Sequence, residues 1–139
     1  MIEVRTYAQS DFPAVKALWE EAFPNDPLWN RAEAAIPAKL QVQPELFLVA
    51  ASAGQAIGTA MVGYDGHRGW LYAMAVSAAH QRRGVGTLLV REAESRLRGL
   101  GCGKLNLQVR ATNQRVIAFY SALGFDVEER VSMGKRLGD

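Results

Sequence analysis

The sequence predicts a mixed α/β protein: a central, mostly antiparallel sheet that includes one parallel pair of strands, with flanking helices. Short apolar runs bounded by turn residues follow one another between residues 46 and 76 and are typical of strands. From Val85 to Leu100 the apolar residues recur in steps of three and four, which is typical of a helix. Because this helix separates two predicted strands, those strands should be parallel and joined by a right-handed crossover.

The first half of the chain should contain the antiparallel strands and two helices. Ser10 or Asp11 can cap the first helix, and Pro37 should limit the second. Turn residues at 53–54 and 65–66 indicate hairpins between the later strands. The predicted elements are a strand at 2–6, helices at 12–23 and 28–40, and strands at 46–51, 57–64 and 71–76.

The second half should contain the long helix and the end of the sheet. Glycines at 99 and 101 should end the long helix, and Gly124 should end the next one. The predicted elements are a helix at 84–100, a strand at 104–109, a helix at 115–123, and strands at 125–128 and 131–137. A chain of 139 residues has the size of one domain, so we treat residues 1–139 as a single domain.

The junction between the 71–76 strand and the long helix carries the strongest chemical signal. It reads Gln81-Arg82-Arg83-Gly84-Val85-Gly86. Two glycines at a helix start leave backbone N–H groups able to approach an anion closely, and two arginines add fixed positive charge. The segment therefore predicts a pyrophosphate-binding site, although a Gly-x-Gly before a helix is often only a tight turn.

Two blocks of the sequence resemble the GNAT superfamily of N-acetyltransferases, whose acetyl-CoA-binding motif is Gln/Arg-x-x-Gly-x-Gly/Ala. The first block consists of Val76, residues 81–86 and Leu88-Leu89. The second consists of Asn113, residues 117–120 and residues 123–125. The turn at 63–69 and the ending at 134–137 are similar to the small, bacterial YpeA-like subgroup. The resemblance covers nearly the whole chain.

The resemblance implies a GNAT fold in which the parallel strands are splayed at the cofactor site. It also implies acetyl transfer from acetyl-CoA to a primary amine by direct attack, with no metal. A strand N–H freed by a bulge would polarise the thioester carbonyl, but the sequence does not show that bulge. The implied cofactor-binding residues are Met74, Ala75, Val76, Gln81, Arg82, Arg83, Gly84, Val85, Gly86, Thr87 and Asn113.

The resemblance implies that Tyr120 is the acid that protonates the departing thiolate. A phenol has an ordinary pKa of about 10, which suits that role. Spacing alone would make Tyr120 a core aromatic residue, and would make Asn113 a plain helix cap. Both interpretations stay open at this point.

The general base is left unassigned. Gln108 occupies the strand position where many N-terminal-amine acetyltransferases of the superfamily have a glutamate, and glutamine cannot accept a proton at neutral pH. His67 is a possible substitute because its ordinary pKa is near neutrality, although a loop residue held in a turn is the commoner role. Weaker candidates are Glu45, Asp65 and His80.

Acceptor specificity should come from residues 24–43 and the 63–69 turn. Trp29 and Trp70 could line an acceptor pocket there, although packing is the commoner use of tryptophan. The acceptor is a small-molecule amine or an amine of a peptide or protein. Two alternatives remain: a protein N-terminal or lysine acetyltransferase, and an acetyl-CoA-binding sensor or regulatory module without catalysis.

Composition limits the remaining partners. A net charge of +2 is too small to argue for nucleic acid, and the arginines at 91, 96 and 98 are expected on a solvated helix face. A single cysteine, Cys102, excludes an internal disulfide, and its position after the long helix, away from the strand ends, argues against a covalent acetyl-cysteine intermediate. Neither a signal peptide nor an apolar run of about 20 residues is visible, so the expected location is the cytoplasm, away from membranes. A homodimer is left open.

Overall fold

The computed structural model describes residues 1–138, which form two compact units. The first unit comprises residues 1–108 and holds the whole sheet; the second begins at Val109. No helix in the described part of the chain combines the length and apolar character that crossing a membrane requires.

The sheet of the first unit has the predicted mixed character. Its strands are β1 (Ile2–Thr6), β2 (Phe47–Ser52), β3 (Gln55–Tyr64), β4 (Gly69–Val76) and β5 (Leu105–Leu107). They lie in the order β1-β2-β3-β4-β5, with antiparallel neighbours up to β4 and a parallel β4–β5 pair. The crossover between the two parallel strands contains the predicted long helix. The prediction of a mixed α/β fold with one parallel pair is therefore confirmed.

Three α-helices flank the sheet in the described first unit: α1 (Phe12–Ala22), α2 (Ala32–Lys39) and α3 (Val85–Gly99). The predicted helix at 28–40 is shorter, because residues 28–30 form a separate 3₁₀ turn. Pro37 lies inside α2 instead of limiting it. Burial of Ala32 and Ile36 against the core holds this helix despite the proline.

The prediction that Ser10 or Asp11 caps α1 with its side chain is wrong. Asp11 stands at the N-cap position, but its carboxylate accepts bonds from the Arg5 guanidinium at 2.8 and 2.9 Å and from the Ala8 N–H at 2.8 Å. The Arg5 guanidinium holds the pKa of that carboxyl below its ordinary value. Asp11 therefore ties β1 to the segment before α1.

The core lies on both faces of the sheet. On one face, α1 and α2 cover a cluster of buried residues that includes Trp19, Ile36, Phe47 and Val49. On the other face lies α3, whose buried stripe consists of Val85, Leu89, Val90, Ala93 and Leu97. The predicted helical stripe is thus confirmed. Arg91 and Arg98 are exposed as predicted, and Arg91 pairs with Glu94 at 2.8 Å. Arg96 departs from the prediction, because it is partly buried and donates to the Thr6 hydroxyl and the Glu45 carbonyl, each at 2.7 Å.

The second unit contains the helix α4 (Gln114–Ala122). The strands predicted at 125–128 and 131–137 are absent from the described residues, and β5 is shorter than the predicted 104–109. The described sheet ends at β5 and does not include these segments. Val127 and Val131 are 78% and 87% exposed. The prediction of strands at these two segments is therefore wrong.

Candidate functional site

The two halves of β4 are paired differently. From Gly69 to Leu71 the strand lies between β3 and β5, and the β5 pairing ends at Leu71↔Leu107. The rest of β4 continues to Val76 beside β3, with no further β5 partner in the described residues. The parallel pairing therefore covers only the first half of β4, and the divergence of the two strands stays a prediction. That divergence would expose one edge of the strand that leads to the glycine-rich segment.

A β-bulge interrupts this second half of β4. The register passes from Met61↔Tyr72 to Thr59↔Ala75, so Ala73 and Met74 together lie opposite Ala60. Ala73 has a φ of +47°, in the left-handed region that residues with a side chain rarely adopt. Bulges turn backbone groups out of the ladder, which is what a strand needs in order to present an N–H to a ligand. No pattern of residues in the sequence indicates this bulge.

The strand-to-helix junction is also built from left-handed residues. Arg82 has a φ of +65° and Gly84 a φ of +78°, and α3 begins at the next residue. The first full helical bond of α3 runs from the Leu88 N–H to the Gly84 carbonyl, at 3.0 Å. The N–H groups of Val85, Gly86 and Thr87 precede that bond, and no side chain caps them within residues 1–138. The helix start therefore presents free donors.

The space at this junction suits a diphosphate. A Cβ placed on Gly84 would meet no atom within 4 Å, so the glycine faces open space that a ligand can enter. Arg82 and Arg83 are both exposed beside it. Converging N–H groups, the positive end of a helix dipole and two guanidinium groups are the donors that bind phosphate groups. The residues present thus fit the phosphates of CoA.

Neighbouring elements hold the junction in place. The Ser77 N–H donates to the Ile57 carbonyl at 2.8 Å, and the Ala78 N–H donates to the Glu21 carboxylate at 3.0 Å. The Gln81 side-chain amide donates to the Val76 carbonyl at 3.3 Å. Gln81 therefore braces the turn. Its direct contact with the cofactor stays a prediction.

Sequence reasoning missed the residues that anchor the bulge. The Thr59 hydroxyl donates to the Ala73 carbonyl at 2.8 Å and accepts from the Trp19 indole N–H at 2.9 Å. Thr59 is fully buried, and Trp19 is 4% exposed. A signal was available in the sequence: Thr59 is the hydroxyl side chain inside the otherwise apolar run of residues 56–62.

The second unit holds Tyr120 and Asn113. Tyr120 is 7% exposed, and its ring makes edge contacts with Phe119 and Phe125 at centroid distances of 5.0 and 5.5 Å. Burial raises the pKa of Tyr120 to about 12, so this phenol is a weaker acid than the sequence suggested. Asn113 caps α4, accepting from the Val116 N–H at 3.3 Å. The cap interpretation of Asn113 is thus confirmed, and its cofactor contact stays a prediction.

The residues considered for the general base are scattered in the first unit. His67 is exposed in the β3–β4 turn, where its backbone N–H donates to the Asp65 carboxylate at 2.7 Å, as the turn interpretation expects. Gln108 and Glu45 are exposed as well. The Nδ1 atom of His80 is buried without a partner among the described residues. None of these positions singles out a base.

The region predicted to select the acceptor contains a cavity of about 320 Å³. It lies between α1 and the segment that leads into α2, and it is lined by Lys16, Trp19, Glu20, Phe23, Pro24, Asp26, Asn30, Arg31, Ala32 and Glu33. Trp29 is 49% exposed, whereas Trp70 is partly buried on β4, and neither lines this cavity. Part of the 24–43 region lines this cavity, whereas Trp29 and Trp70 do not, and the role of the region in acceptor specificity stays a prediction.

Other reactive groups lie elsewhere. The Cys102 thiol donates to the Lys104 carbonyl at 3.3 Å and would lie 3.1 Å from a Cβ on Gly69, in the first half of β4. No group of three or more histidine, cysteine, aspartate or glutamate side chains in residues 1–138 is arranged to bind a metal ion.

Comparison with known proteins gives a consistent result. The profile of the Acetyltransferase (GNAT) family matches residues 4–125. An acetyltransferase of Yersinia enterocolitica is 42% identical over 136 residues, which cover 98% of this chain and 96% of the relative. A second acetyltransferase, from Pectobacterium atrosepticum, is 40% identical over the same proportions of both chains.

Solved structures share the fold. Aminoglycoside N-acetyltransferase AAC(6')-Iy in complex with a CoA bisubstrate analogue superposes with a TM-score of 0.82 at 20% identity, over 98% of each chain. At that identity the likeness concerns the fold alone. The family profile, however, spans most of the sequence, and the relatives match along nearly their whole length. The chain therefore belongs to the GNAT acetyltransferase family.

Proposed function

We propose that this protein transfers an acetyl group from acetyl-CoA to a primary amine by direct attack of the amine, and that residues 1–139 act as one catalytic domain. The observation that carries the proposal is the continuous path from the bulged, open half of β4 to the uncapped start of α3. Along this path a strand edge is followed by phosphate-binding donors. An extended thioester that ends in a diphosphate requires these two features in that order.

Each part of this path has a role in the proposal. The N–H groups of residues 83–87, with the Arg82 and Arg83 side chains, hold the diphosphate. The exposed edge at residues 74–76 pairs with the amide groups of the pantetheine arm, as an added strand would. Gln81 braces the turn, and Asn113 makes the further cofactor contact that the family resemblance implies. Acetyl-CoA supplies the activated acetyl group.

The reaction needs no covalent enzyme intermediate. The lone pair of the neutral amine forms a bond to the thioester carbonyl carbon, while an N–H of the bulge stabilises the charge that develops on the carbonyl oxygen. The carbon–sulfur bond then breaks, and Tyr120 gives its phenolic proton to the departing sulfur. The amine loses one proton to water or to a base that we leave unassigned. The products are an amide and free CoA.

The acceptor is an amine presented by a small molecule or a peptide. Of proteins with this fold, one was solved as an aminoglycoside acetyltransferase and another as a ribosomal-protein-S18-alanine acetyltransferase. These names define the classes to test. The cavity beside α1 is the proposed acceptor-side cavity, and both acidic and basic side chains line it.

The direct test is an assay of CoA thiol release with acetyl-CoA and a panel of amines: aminoglycosides, polyamines, and peptides with a free α-amine or lysine. We expect turnover on at least one class, with mass spectrometry detecting the acetylated amine. Initial rates should give intersecting double-reciprocal lines. Parallel lines would contradict direct attack, and binding of acetyl-CoA without turnover on any amine would favour the non-catalytic module.

A further inference from the structure

Thr59 is an unusual residue for its place in the sheet. It is fully buried between apolar neighbours on β3, where a valine would fill nearly the same volume without a polar atom. Among the described residues, Asp11 and Thr59 are the buried polar or charged side chains. Burying a hydroxyl is unfavourable unless it is hydrogen-bonded. The position is therefore informative about what the hydroxyl does.

The two bonds of this hydroxyl fix its orientation. The Trp19 indole can only donate, so it takes a lone pair of Thr59 Oγ1, at 2.9 Å. The single hydroxyl proton of Thr59 is then directed to the Ala73 carbonyl, at 2.8 Å. Trp19 itself is held in the core against Phe47, with ring centroids 6.1 Å apart. A rigid helix residue thus sets the direction of a bond made to the bulge.

That bond determines which way the bulge faces. The carbonyl and the N–H of one trans peptide plane point in opposite directions. Because the Ala73 carbonyl points to the Thr59 hydroxyl, the Met74 N–H of the same plane points away from that hydroxyl. Met74 lies in the half of β4 that has no register partner on β5 in the described chain. Ala73 also keeps a left-handed φ of +47°, a strained backbone that needs support from its surroundings.

We propose that Thr59, oriented by Trp19, is a positioning residue for catalysis: it fixes the Ala73–Met74 peptide so that the Met74 N–H is directed at the thioester oxygen. This inference rests on the proposed acetyl transfer. Helix α1 then has two roles, because Trp19 lines the acceptor-side cavity and also holds the bulge.

The test compares Thr59→Val, which removes only the hydroxyl, with Thr59→Ser, which restores it. Thr6→Val is the matched control, because it removes a threonine hydroxyl that accepts from Arg96 at 2.7 Å on β1, far along the sheet order from β4. We expect Thr59→Val to lower kcat about 30-fold, because a misdirected donor stabilises the transition state poorly. The KM for acetyl-CoA should change less than about threefold, and Thr59→Ser should recover most of kcat.

A second readout does not depend on activity. The sequence contains 4 methionines, so labelling methionine with ¹⁵N gives a small set of amide resonances that includes Met74. We expect the Met74 resonance to move in Thr59→Val and to stay in place in Thr6→Val. Trp19→Phe serves if Thr59→Val does not fold, with a smaller loss of kcat and the same resonance moving.

The outcomes separate the two proposals. An unchanged Met74 resonance, an unchanged kcat, or a loss confined to KM would overturn the positioning role even in an active enzyme. A wild-type protein that acetylates no amine would overturn the proposed function. In that case the resonance of Met74 in Thr59→Val would still decide whether Thr59 orients the bulge.

Discussion

The two halves of β4 show how one strand serves both stability and chemistry. Gly69 to Leu71 pairs with strands on both sides, and Gly69 packs so closely that a Cβ would come within 2.8 Å of Leu97. From Tyr72 to Val76 the strand is bulged and loses its β5 neighbour. Backbone that is fully paired cannot bind anything else, whereas an open edge is available to a ligand. The proposed cofactor site accordingly lies where the pairing with β5 stops.

The largest effect should come from the junction that follows the open half. Gly84→Val places a side chain in the proposed phosphate site, and we expect CoA affinity to fall about 1,000-fold, as loss of two charge-assisted bonds of about 2 kcal/mol each would give. Gly54→Val is the control, because the two glycines have similar φ angles, +82° for Gly54 and +78° for Gly84, and a Cβ on either would lie in open space. Calorimetry should find wild-type affinity in Gly54→Val; retained affinity in Gly84→Val would remove the phosphate site.

The next largest effect should come from Tyr120, the proposed acid for turnover. Tyr120→Phe should lower kcat about 100-fold and spare CoA affinity, since loss of a proton donor costs 10²-fold or more. Tyr7→Phe is a matched control, because both tyrosines are 7% exposed and the Tyr7 hydroxyl has no partner among the described residues. Steady-state kinetics on both variants is the measurement. Equal rates for Tyr120→Phe and wild type would end the acid role.

A smaller effect should come from the paired half of β4, where a substitution should lower stability and leave CoA affinity unchanged. Gly69→Ala brings a methyl group against Leu97 and Cys102, and overpacking of this kind should cost about 2 kcal/mol of the free energy of unfolding. Affinity for CoA should not change. Gly99→Ala adds a methyl group in open space and should leave stability the same or slightly higher. Urea unfolding of both variants, together with CoA titration, would show whether the two halves of β4 are separable.

The last prediction concerns the pH dependence of kcat, on which we expect the Tyr120 phenol to have no effect. Because burial raises the pKa of Tyr120 to about 12, the phenol stays protonated between pH 7 and 10 and should cause no alkaline loss of kcat there. The same shift makes the unfolded tyrosine ionise first, so stability should fall as the pH rises from about 10 to about 12. A kcat that declines near pH 9 in wild type, but not in Tyr120→Phe, would contradict this.

Local patterns predicted much of the molecule. The apolar stripe of α3, the Arg91–Glu94 pair and the Asn113 cap depend on residues a few positions apart, so sequence spacing indicates them directly. The strands predicted at 125–128 and 131–137 are a different case. Strand pairing depends on segments elsewhere in the chain, which local patterns do not identify, and the described sheet ends at β5.

The sequence by itself determined the glycines and arginines at the start of α3, and with them the proposed class of ligand, because a phosphate site of this kind needs only consecutive residues. Tertiary structure alone decided where β4 opens and which way its bulge faces. The Thr59 hydroxyl joins Ala73, 14 residues away in sequence, to Trp19, 40 residues away. Such bonds depend on how distant segments pack, and no local pattern of residues encodes them.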